Sequence, residues 1–365
     1  MKREHAGRGR RATVVIACAL IAALVIVSIL LATSTFTTTS TTTSSPHATG
    51  GLITAGPSRS ECFTPHFDDT GLAALQAAVT SFNTLTDSSV TCVSAYLDSA
   101  TTWANWESPW ITHPSYGYTS WVAEAPQSRQ LVLAVQLIPN ELANVNNPLK
   151  WEKSCASGGF NSYARRLGAS LVAAGLENSV IRLGNEMNGV WETDFIGTTK
   201  VEQKLWAKCF SNEVASFREV TGEHFLIDWN VNACTGNYPY ANYYPGNSYV
   251  DIVGIDLYDV GCKTPFTRFA FSKLASEQLG LDHFEAFAAE KGKPMSFGEW
   301  GLASVPAGDD PAYINGIGST VENGDFAFEA YFDGGGGPNS KALALTSGTP
   351  LALTAYQNWF GNGSK

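Results

Sequence analysis

Residues 181–191 read IRLGNEMNGVW and contain the first of two glutamates around which the sequence is organised. The run starts with the apolar residues of a short strand and leads to Glu186, which is flanked by Asn185 and Asn188. A second run, PMSFGEWG at residues 294–301, carries Glu299 after a similar strand-like segment. Each glutamate is therefore predicted to stand at the carboxyl end of a buried strand.

Strand-like apolar runs alternate with helix-like stretches through most of the chain. We predict strands at 90–97, 130–138, 179–183, 224–229, 249–257, 295–297 and 326–332, and helices at 162–174, 201–220 and 276–291. Continuous apolar strands separated by helices indicate a parallel sheet covered on both faces. Polar residues follow several successive strands, as in a barrel, and no GxGxxG or Walker motif favours a doubly wound sheet. The sequence therefore predicts an α/β fold, a (β/α)8 TIM barrel.

Four segments precede or form this barrel: a basic tail (residues 1–11), an apolar segment (12–32), a Ser/Thr-rich linker (33–59) and the barrel domain (60–365). The apolar segment is long enough to span a bilayer and longer than the core of most cleavable signal peptides. We therefore expect a single-pass membrane anchor with the barrel domain extracellular, because basic flanks stay in the cytoplasm. Cleavage of the segment, which would give a secreted protein, is the alternative.

The formal net charge of −10 argues against nucleic acid as a partner. Separately, we expect the protein to be a monomer. Six of the seven cysteines follow the apolar segment, and an even number outside the cell suggests disulfides. We predict pairs between sequence neighbours: Cys62–Cys92, Cys155–Cys209 and Cys234–Cys262. The cysteine spacing has no CxxC pair and histidines are few, so no metal site is expected.

Two carboxylates at one barrel mouth are what the cleavage of a glycosidic bond requires. Glu186, protonated, would donate to the glycosidic oxygen while Glu299, ionised, attacks the anomeric carbon. This double displacement retains the anomeric configuration and needs neither a metal nor an organic cofactor. Arg182 is predicted to lie beside a carboxylate and keep it ionised, and Tyr258 to donate a hydrogen bond to the nucleophile.

The chain resembles the large clan A of retaining glycoside hydrolases with (β/α)8 barrels, and within it family 26, which includes β-mannanases and some β-glucanases. The residues that carry the resemblance are Arg182, the run NEMNG at 185–189, Trp191, Trp229, Asn232, the run DIVGID at 251–256, Tyr258 and the Gly298-Glu299 pair. It implies that Glu186 is the acid/base and Glu299 the nucleophile. It also implies that Asn185 binds the sugar 2-hydroxyl, and that Arg182 and Tyr258 position Glu299.

Two positions depart from the family pattern. Asn185 stands where family 26 typically has histidine before the acid/base. The run DFAFEAYFDGG, which contains the last predicted strand, lacks the tryptophan that often forms a subsite floor, so Tyr331 or Phe332 would have to serve.

The predicted function is a retaining, endo-acting β-glycanase that cleaves an extracellular or cell-envelope polysaccharide, with β-mannan or β-glucan foremost. The predicted substrate-binding residues are Arg182, Asn185, Asn188, Trp191, Trp229, Asn232, Tyr258, Trp300 and Trp106. Tryptophan faces suit sugar rings, and amides suit their hydroxyl groups. Two alternatives remain open at this point: a transglycosylase that remodels the envelope, and an inactive surface protein that only binds glycans.

Overall fold

Eight parallel strands form a closed barrel in the computed structural model of this chain, which describes residues 52–65, 70–97, 100–143, 149–233, 238–259, 270–303, 308–333, 342–343 and 345–363. The strands are β1 (Ser60–Thr64), β2 (Cys92–Tyr96), β3 (Gln130–Val135), β4 (Val180–Leu183), β5 (Leu226–Asn232), β6 (Ile252–Tyr258), β7 (Met295–Ala303) and β8 (Phe326–Phe332). Each strand pairs with its neighbours in sequence, and β8 pairs with β1 to close the barrel. A short strand, β9 (Ala342–Leu343), pairs antiparallel with the end of β7.

Helices occupy the connections between the strands, and one more helix follows the last strand. They are α1 (Leu72–Thr86), α2 (Trp103–Glu107), α3 (Tyr118–Ala123), α4 (Leu149–Ala156), α5 (Asn161–Ala173), α6 (Lys200–Phe217), α7 (Phe271–Ser276), α8 (Leu281–Lys291), α9 (Pro311–Asn323) and α10 (Pro350–Phe360). Short 3-10 turns lie at Trp110–Thr112, Pro114–Tyr116, Asn140–Leu142, Tyr240–Asn242 and Asn247–Tyr249. Local side chains fix some helix starts: Thr199 and Glu202 form a capping box at α6, and Asp310 caps α9.

The barrel interior has an apolar half and a polar half. Near the amino ends of the strands, a buried apolar cluster fills the barrel: it includes Ile53, Cys62, Cys92, Val132, Val180, Ile252 and Phe328. Near the carboxyl ends the buried interior side chains are polar: Arg182, Asp228, Asn230 and Asp256. Because buried polar groups are costly unless they are paired, these side chains are expected to bond to one another.

A bulge in β7 turns Glu299 into the barrel. Ile255 of β6 pairs with Phe297, but the next residue of β6, Asp256, pairs with Glu299, so Gly298 is an extra residue between the two pairs. Without it, the alternation of side chains along the strand would direct Glu299 outward, toward the helices. A Cβ at position 298 would lie 2.5 Å from Nε of Arg182, so a residue without a side chain is needed there.

The predicted (β/α)8 barrel is confirmed, and the seven predicted strands correspond to β2 through β8. The first strand, β1, is absent from the prediction because its sequence, SECFT, has no apolar run. Two predicted disulfides are present: Cys62–Cys92 joins β1 to β2, and Cys155–Cys209 joins α4 to α6.

Other predictions fall beyond the part of the chain that the structure describes. These are the basic tail, the membrane anchor at 12–32, most of the linker, and the Cys234–Cys262 pair. Within the described ranges, no helix has both the length and the apolar character that crossing a bilayer requires.

Candidate active site

The guanidinium group of Arg182 joins the polar side chains at the carboxyl end of the barrel. Arg182 lies on β4 and is fully buried. Its Nη2 donates to Oδ2 of Asp256 at 2.7 Å, and Nη1 and Nη2 donate to Oε1 of Glu299 at 3.3 and 3.2 Å. Nε and Nη2 also donate to Oδ1 of Asn230. The structure thus places Arg182 beside Glu299, where several charge-assisted hydrogen bonds fix the orientation of the carboxylate.

Glu299 has a second donor at its other oxygen. The hydroxyl of Tyr258, at the end of β6, donates to Oε2 of Glu299 at 3.2 Å. Tyr96 lies close by as well: the centroid of its ring is 6.0 Å from Cζ of Arg182, and burial and then the charge of Glu299 raise the pKa of its hydroxyl. The ring of Phe332 meets Tyr96 and Tyr258 edge-on, with centroid distances of 6.0 and 6.3 Å. The rings of Tyr96, Tyr258 and Phe332 therefore form one aromatic cluster beside this carboxylate.

Glu186 lies in the turn after β4 and is held by two side-chain donors. Nδ2 of Asn232 donates to Oε1 at 2.6 Å, and the indole N–H of Trp191 donates to Oε2 at 2.8 Å. The backbone N–H of Glu186 donates to the carbonyl of Asn230 at 3.0 Å, which anchors the turn to β5. The φ angle of Glu186 is +52°, a left-handed conformation that is costly for a residue with a side chain and is often found at functional sites.

The two glutamates and Asp256 converge. One carboxylate oxygen from each of Glu186, Asp256 and Glu299 lies within 4.8 Å of the other two. Burial, and after it the negative charge of Glu299, raises the pKa of Glu186 to about 7. Carboxylates this close together could hold a cation, but the guanidinium of Arg182 already contacts two of the three. The arrangement therefore provides one carboxyl group that holds its proton near neutral pH and another that faces a fixed positive charge.

Two asparagines of the predicted site have different surroundings. The amide of Asn188 bridges to the backbone of Asn232, accepting from its N–H at 2.9 Å and donating to its carbonyl at 2.8 Å. Asn188 therefore supports the side chain that holds Glu186 and is 2% exposed, which leaves little surface for a ligand. Asn185 is 5% exposed, and its Oδ1 has no hydrogen-bond partner among the described residues.

The prediction that Trp229, Trp300 and Trp106 bind substrate is corrected by their burial. Trp229 is fully buried against Tyr240, Tyr243, Tyr244 and Phe287, outside the barrel wall. Trp300 is fully buried against Tyr356 and Phe360 of α10, and its indole N–H donates to Glu329. Trp106 is 3% exposed and donates to the carbonyl of Gln136. By contrast, Trp191 is 56% exposed beside Glu186.

Several site residues are missing from the predicted set. Asn230 and Asp256 contact Arg182, and Tyr96 lies beside Glu299. Alternation along a strand is the signal that could have found Asn230, because it lies two residues before Asn232 and so shares its face. Of the two proposed floor residues, Tyr331 is fully buried against Phe82, Trp300 and Tyr356, which leaves Phe332 at the mouth.

Comparison with known proteins bears on this site. The sequence profile of glycosyl hydrolase family 26 matches residues 176–270, a span that contains β4, β5, β6 and the residues Arg182, Glu186 and Tyr258. No curated protein sequence matches the chain.

Solved structures with this barrel include several mannanases. The catalytic domain of a GH26 endo-β-1,4-mannanase from Bacillus sp. JAMB-750 is 17% identical, with a TM-score of 0.57 over 83% of this chain and 86% of that one. An endo-β-1,4-mannanase double mutant from Cellulomonas fimi is 15% identical, with a TM-score of 0.56 over 87% and 72%. A Bacillus subtilis mannanase is 16% identical, with a TM-score of 0.53 over 83% and 85%. At these identities the likeness shows the fold.

The profile match covers the strands that carry the polar centre, and the barrel is shared over most of the chain. The profile match confirms the resemblance to glycoside hydrolase family 26 and supports a glycosidase, an enzyme that hydrolyses O-glycosyl bonds, while the solved structures confirm the barrel.

Proposed function

We propose that the chain is a retaining, endo-acting β-glycanase whose substrate is β-mannan. The observation that carries the proposal is the approach of the Glu186 and Glu299 carboxylates to within 4.8 Å. Retaining glycosidases hold their two carboxyl groups about 5–5.5 Å apart, whereas inverting enzymes need about 6.5–9.5 Å to admit a water molecule. The short separation supports direct attack by one carboxylate on the sugar.

In the first step Glu186, which has a pKa of about 7, gives its proton to the glycosidic oxygen. The bond between that oxygen and the anomeric carbon breaks, and an oxygen of Glu299 forms an ester bond to the same carbon. The leaving sugar departs as a neutral alcohol. Arg182 and Tyr258 hold Glu299 in the orientation that this attack needs.

In the second step the ionised Glu186 takes a proton from water, and the oxygen of that water attacks the anomeric carbon. The ester bond to Glu299 breaks, which restores its carboxylate and releases a sugar with its original configuration. The left-handed backbone at Glu186 and the bonds from Asn232 and Trp191 hold the acid/base in place through both steps.

The substrate and the location are argued from separate observations. The solved structures named above are mannanases, and Trp191 offers an exposed ring beside Glu186 on which a sugar can stack. The two disulfides fit an oxidising compartment, and the apolar segment at 12–32 fits an anchor or a signal sequence. We therefore place the enzyme outside the cell, acting on a polysaccharide there.

The test is the release of reducing sugar by the purified full-length chain from β-mannan, β-glucan and xylan. Glu186→Gln and Glu299→Gln serve as matched variants that keep the size of each side chain. The proposal predicts release from β-mannan that both substitutions reduce by about 10²-fold or more. Binding of mannan without any release, unchanged in both variants, would instead identify a glycan-binding protein, and products longer than the substrate would identify a transglycosylase.

A further inference from the structure

Three consecutive side chains after Trp191 attach the Glu186 turn to the segment that follows β3. Oε2 of Glu192 accepts from Nε2 of Gln136 at 3.0 Å. Oγ1 of Thr193 donates to Oδ1 of Asn140 at 2.6 Å. The third side chain, Asp194, accepts from the backbone N–H of Leu137 at 2.8 Å through Oδ2. The turn that carries the acid/base is thus tied to its neighbour at three adjacent points.

Glu192 differs from Asp194 in exposure, because Oδ1 of Asp194 also lacks a hydrogen-bond partner among the described residues but is buried. Asp194 is fully buried, whereas Glu192 is partly exposed. Its Oε2 is occupied by Gln136, and within the described ranges Oε1 has no hydrogen-bond donor. The backbone of Gln136 is held in turn, since its carbonyl oxygen accepts from the indole N–H of Trp106 at 2.8 Å. Glu192 is therefore a carboxyl group held by one oxygen and available through the other.

The position of Glu192 relative to Glu186 and Glu299 indicates which part of the substrate lies near this oxygen. Burial raises the pKa of Glu192 to about 9, and the negative charge of Glu186 adds to this rise. Glu192 directly follows Trp191, whose indole N–H donates to Oε2 of Glu186 at 2.8 Å, so Glu192 lies on the acid/base side of the site. In the proposed mechanism the sugar bonded through the leaving oxygen lies on the acid/base side.

We propose that Glu192 is a substrate-binding residue that hydrogen-bonds a hydroxyl group of the leaving sugar. This inference rests on the proposed function and assigns one side chain of its leaving-group subsite. A carboxyl group that keeps its proton can donate to such a hydroxyl, and Gln136 prevents it from turning away. The residue thereby selects for a carbohydrate, rather than any alcohol, as the leaving group.

The test compares two substrates with mannosyl glycones: mannohexaose, whose leaving group is a sugar, and 4-nitrophenyl β-mannobioside, whose leaving group is an aryl alcohol. The variants are Glu192→Ala, Glu192→Gln and, as a matched neighbour, Thr193→Val. Glu192→Ala should lower kcat/KM for mannohexaose about tenfold more than kcat/KM for the aryl substrate, mainly through KM. Glu192→Gln, which still reaches Gln136 and still donates, should recover most of this loss.

Thr193→Val removes a neighbouring attachment bond and should change both substrates by the same factor. If Glu192→Ala also lowers both substrates equally, or lowers neither, Glu192 only supports the turn and the inference is overturned. If the wild-type enzyme cleaves neither substrate, the proposed function fails, and the inference that depends on it fails with it.

Discussion

Glu186 and Glu299 are 113 residues apart in the sequence, yet their carboxylates approach to within 4.8 Å at the mouth of the barrel. Their surroundings differ. Glu186 accepts from the neutral donors Asn232 and Trp191, whereas Glu299 accepts from the positively charged Arg182 and from Tyr258. Two carboxyl groups in contrasting environments can divide the roles of acid and nucleophile between them.

The products that azide forms in two alanine variants should distinguish the acid/base from the nucleophile. In Glu186→Ala the removed side chain leaves space for azide. Azide should then attack the glycosyl-enzyme that forms on Glu299 from an aryl β-mannobioside, and give a β-linked azide. In Glu299→Ala azide should attack the substrate directly and give the α-linked product. The products can be distinguished by NMR. The same anomer from both variants would contradict the assignment of roles.

The pH dependence of kcat/KM should fall on the alkaline side at about pH 7. Glu186 must carry a proton to act as the acid, and its pKa is raised to about 7 by burial and by Glu299. Activity that depends on the protonated form is complete below this pKa and is lost as the pH rises through it. The measurement is the pH profile of kcat/KM on an oligosaccharide, and a rate that is constant from pH 6 to pH 9 would be inconsistent with this role.

Trp191→Phe should move that alkaline limb to higher pH. The indole N–H donates to Oε2 of Glu186 and lowers the pKa of that carboxyl by favouring its charged form. Phenylalanine keeps an aromatic ring but removes the donor, so the pKa of Glu186 should rise. Comparing the two pH profiles under identical conditions tests this, and a limb that moves to lower pH would refute the proposed effect of the bond.

Gly298→Ala should reduce kcat/KM by about 10²-fold or more. The new methyl group would lie 2.5 Å from Nε of Arg182, so either the arginine or the bulge that aims Glu299 must move. Displacements of about 1 Å in a catalytic site have effects of this size. Gly56→Ala is the control, because its nearest heavy atom would be 3.9 Å away. Full activity in Gly298→Ala would show that the bulge is not needed to position Glu299.

Glu152→Gln should stabilise the protein more at pH 8 than at pH 5. Glu152 on α4 is buried, and neither of its oxygens has a partner among the described residues; burial raises its pKa to about 9. The unfolded chain loses this proton near pH 4.5 but the folded chain keeps it, so stability falls as the pH rises between these values.

Glutamine does not titrate, so the gain in the free energy of unfolding should be larger at pH 8 than at pH 5, by up to about 4 kcal/mol. Urea denaturation at the two pH values measures it. Glu290→Gln is a control on the exposed surface of α8. An equal effect of Glu152→Gln at both pH values would show that the folded-state pKa of Glu152 is near its ordinary value.

Much of the barrel follows from the sequence because its buried strands are apolar on both faces. The run around 130–138 is of this kind and becomes β3. The strand β1 has only five residues, among them Ser60 and Glu61, and it is held by pairing with β2 and β8 rather than by its own apolar pattern. Tertiary pairing of this kind leaves little trace in a local window of sequence.

The side chains that face the site can be predicted where inward and outward residues alternate regularly along a strand. They are harder to predict where a bulge interrupts this alternation. On β5 the residues Asn230 and Asn232 share the inward face, so alternation alone would have placed Trp229 outside the barrel. On β7 the same rule fails, because the extra residue Gly298 exchanges the faces of the residues that follow it. Glu299 therefore points inward and Trp300 outward, a result that requires the register of β6 and β7.

The most direct test of the central claim is the configuration of the first product, followed by NMR during the hydrolysis of mannohexaose. If Glu299 forms a covalent bond to the sugar, the newly released reducing end appears first as the β-anomer and then mutarotates. If the α-anomer forms first, water attacks the anomeric carbon directly, and the nucleophilic role of Glu299 is contradicted.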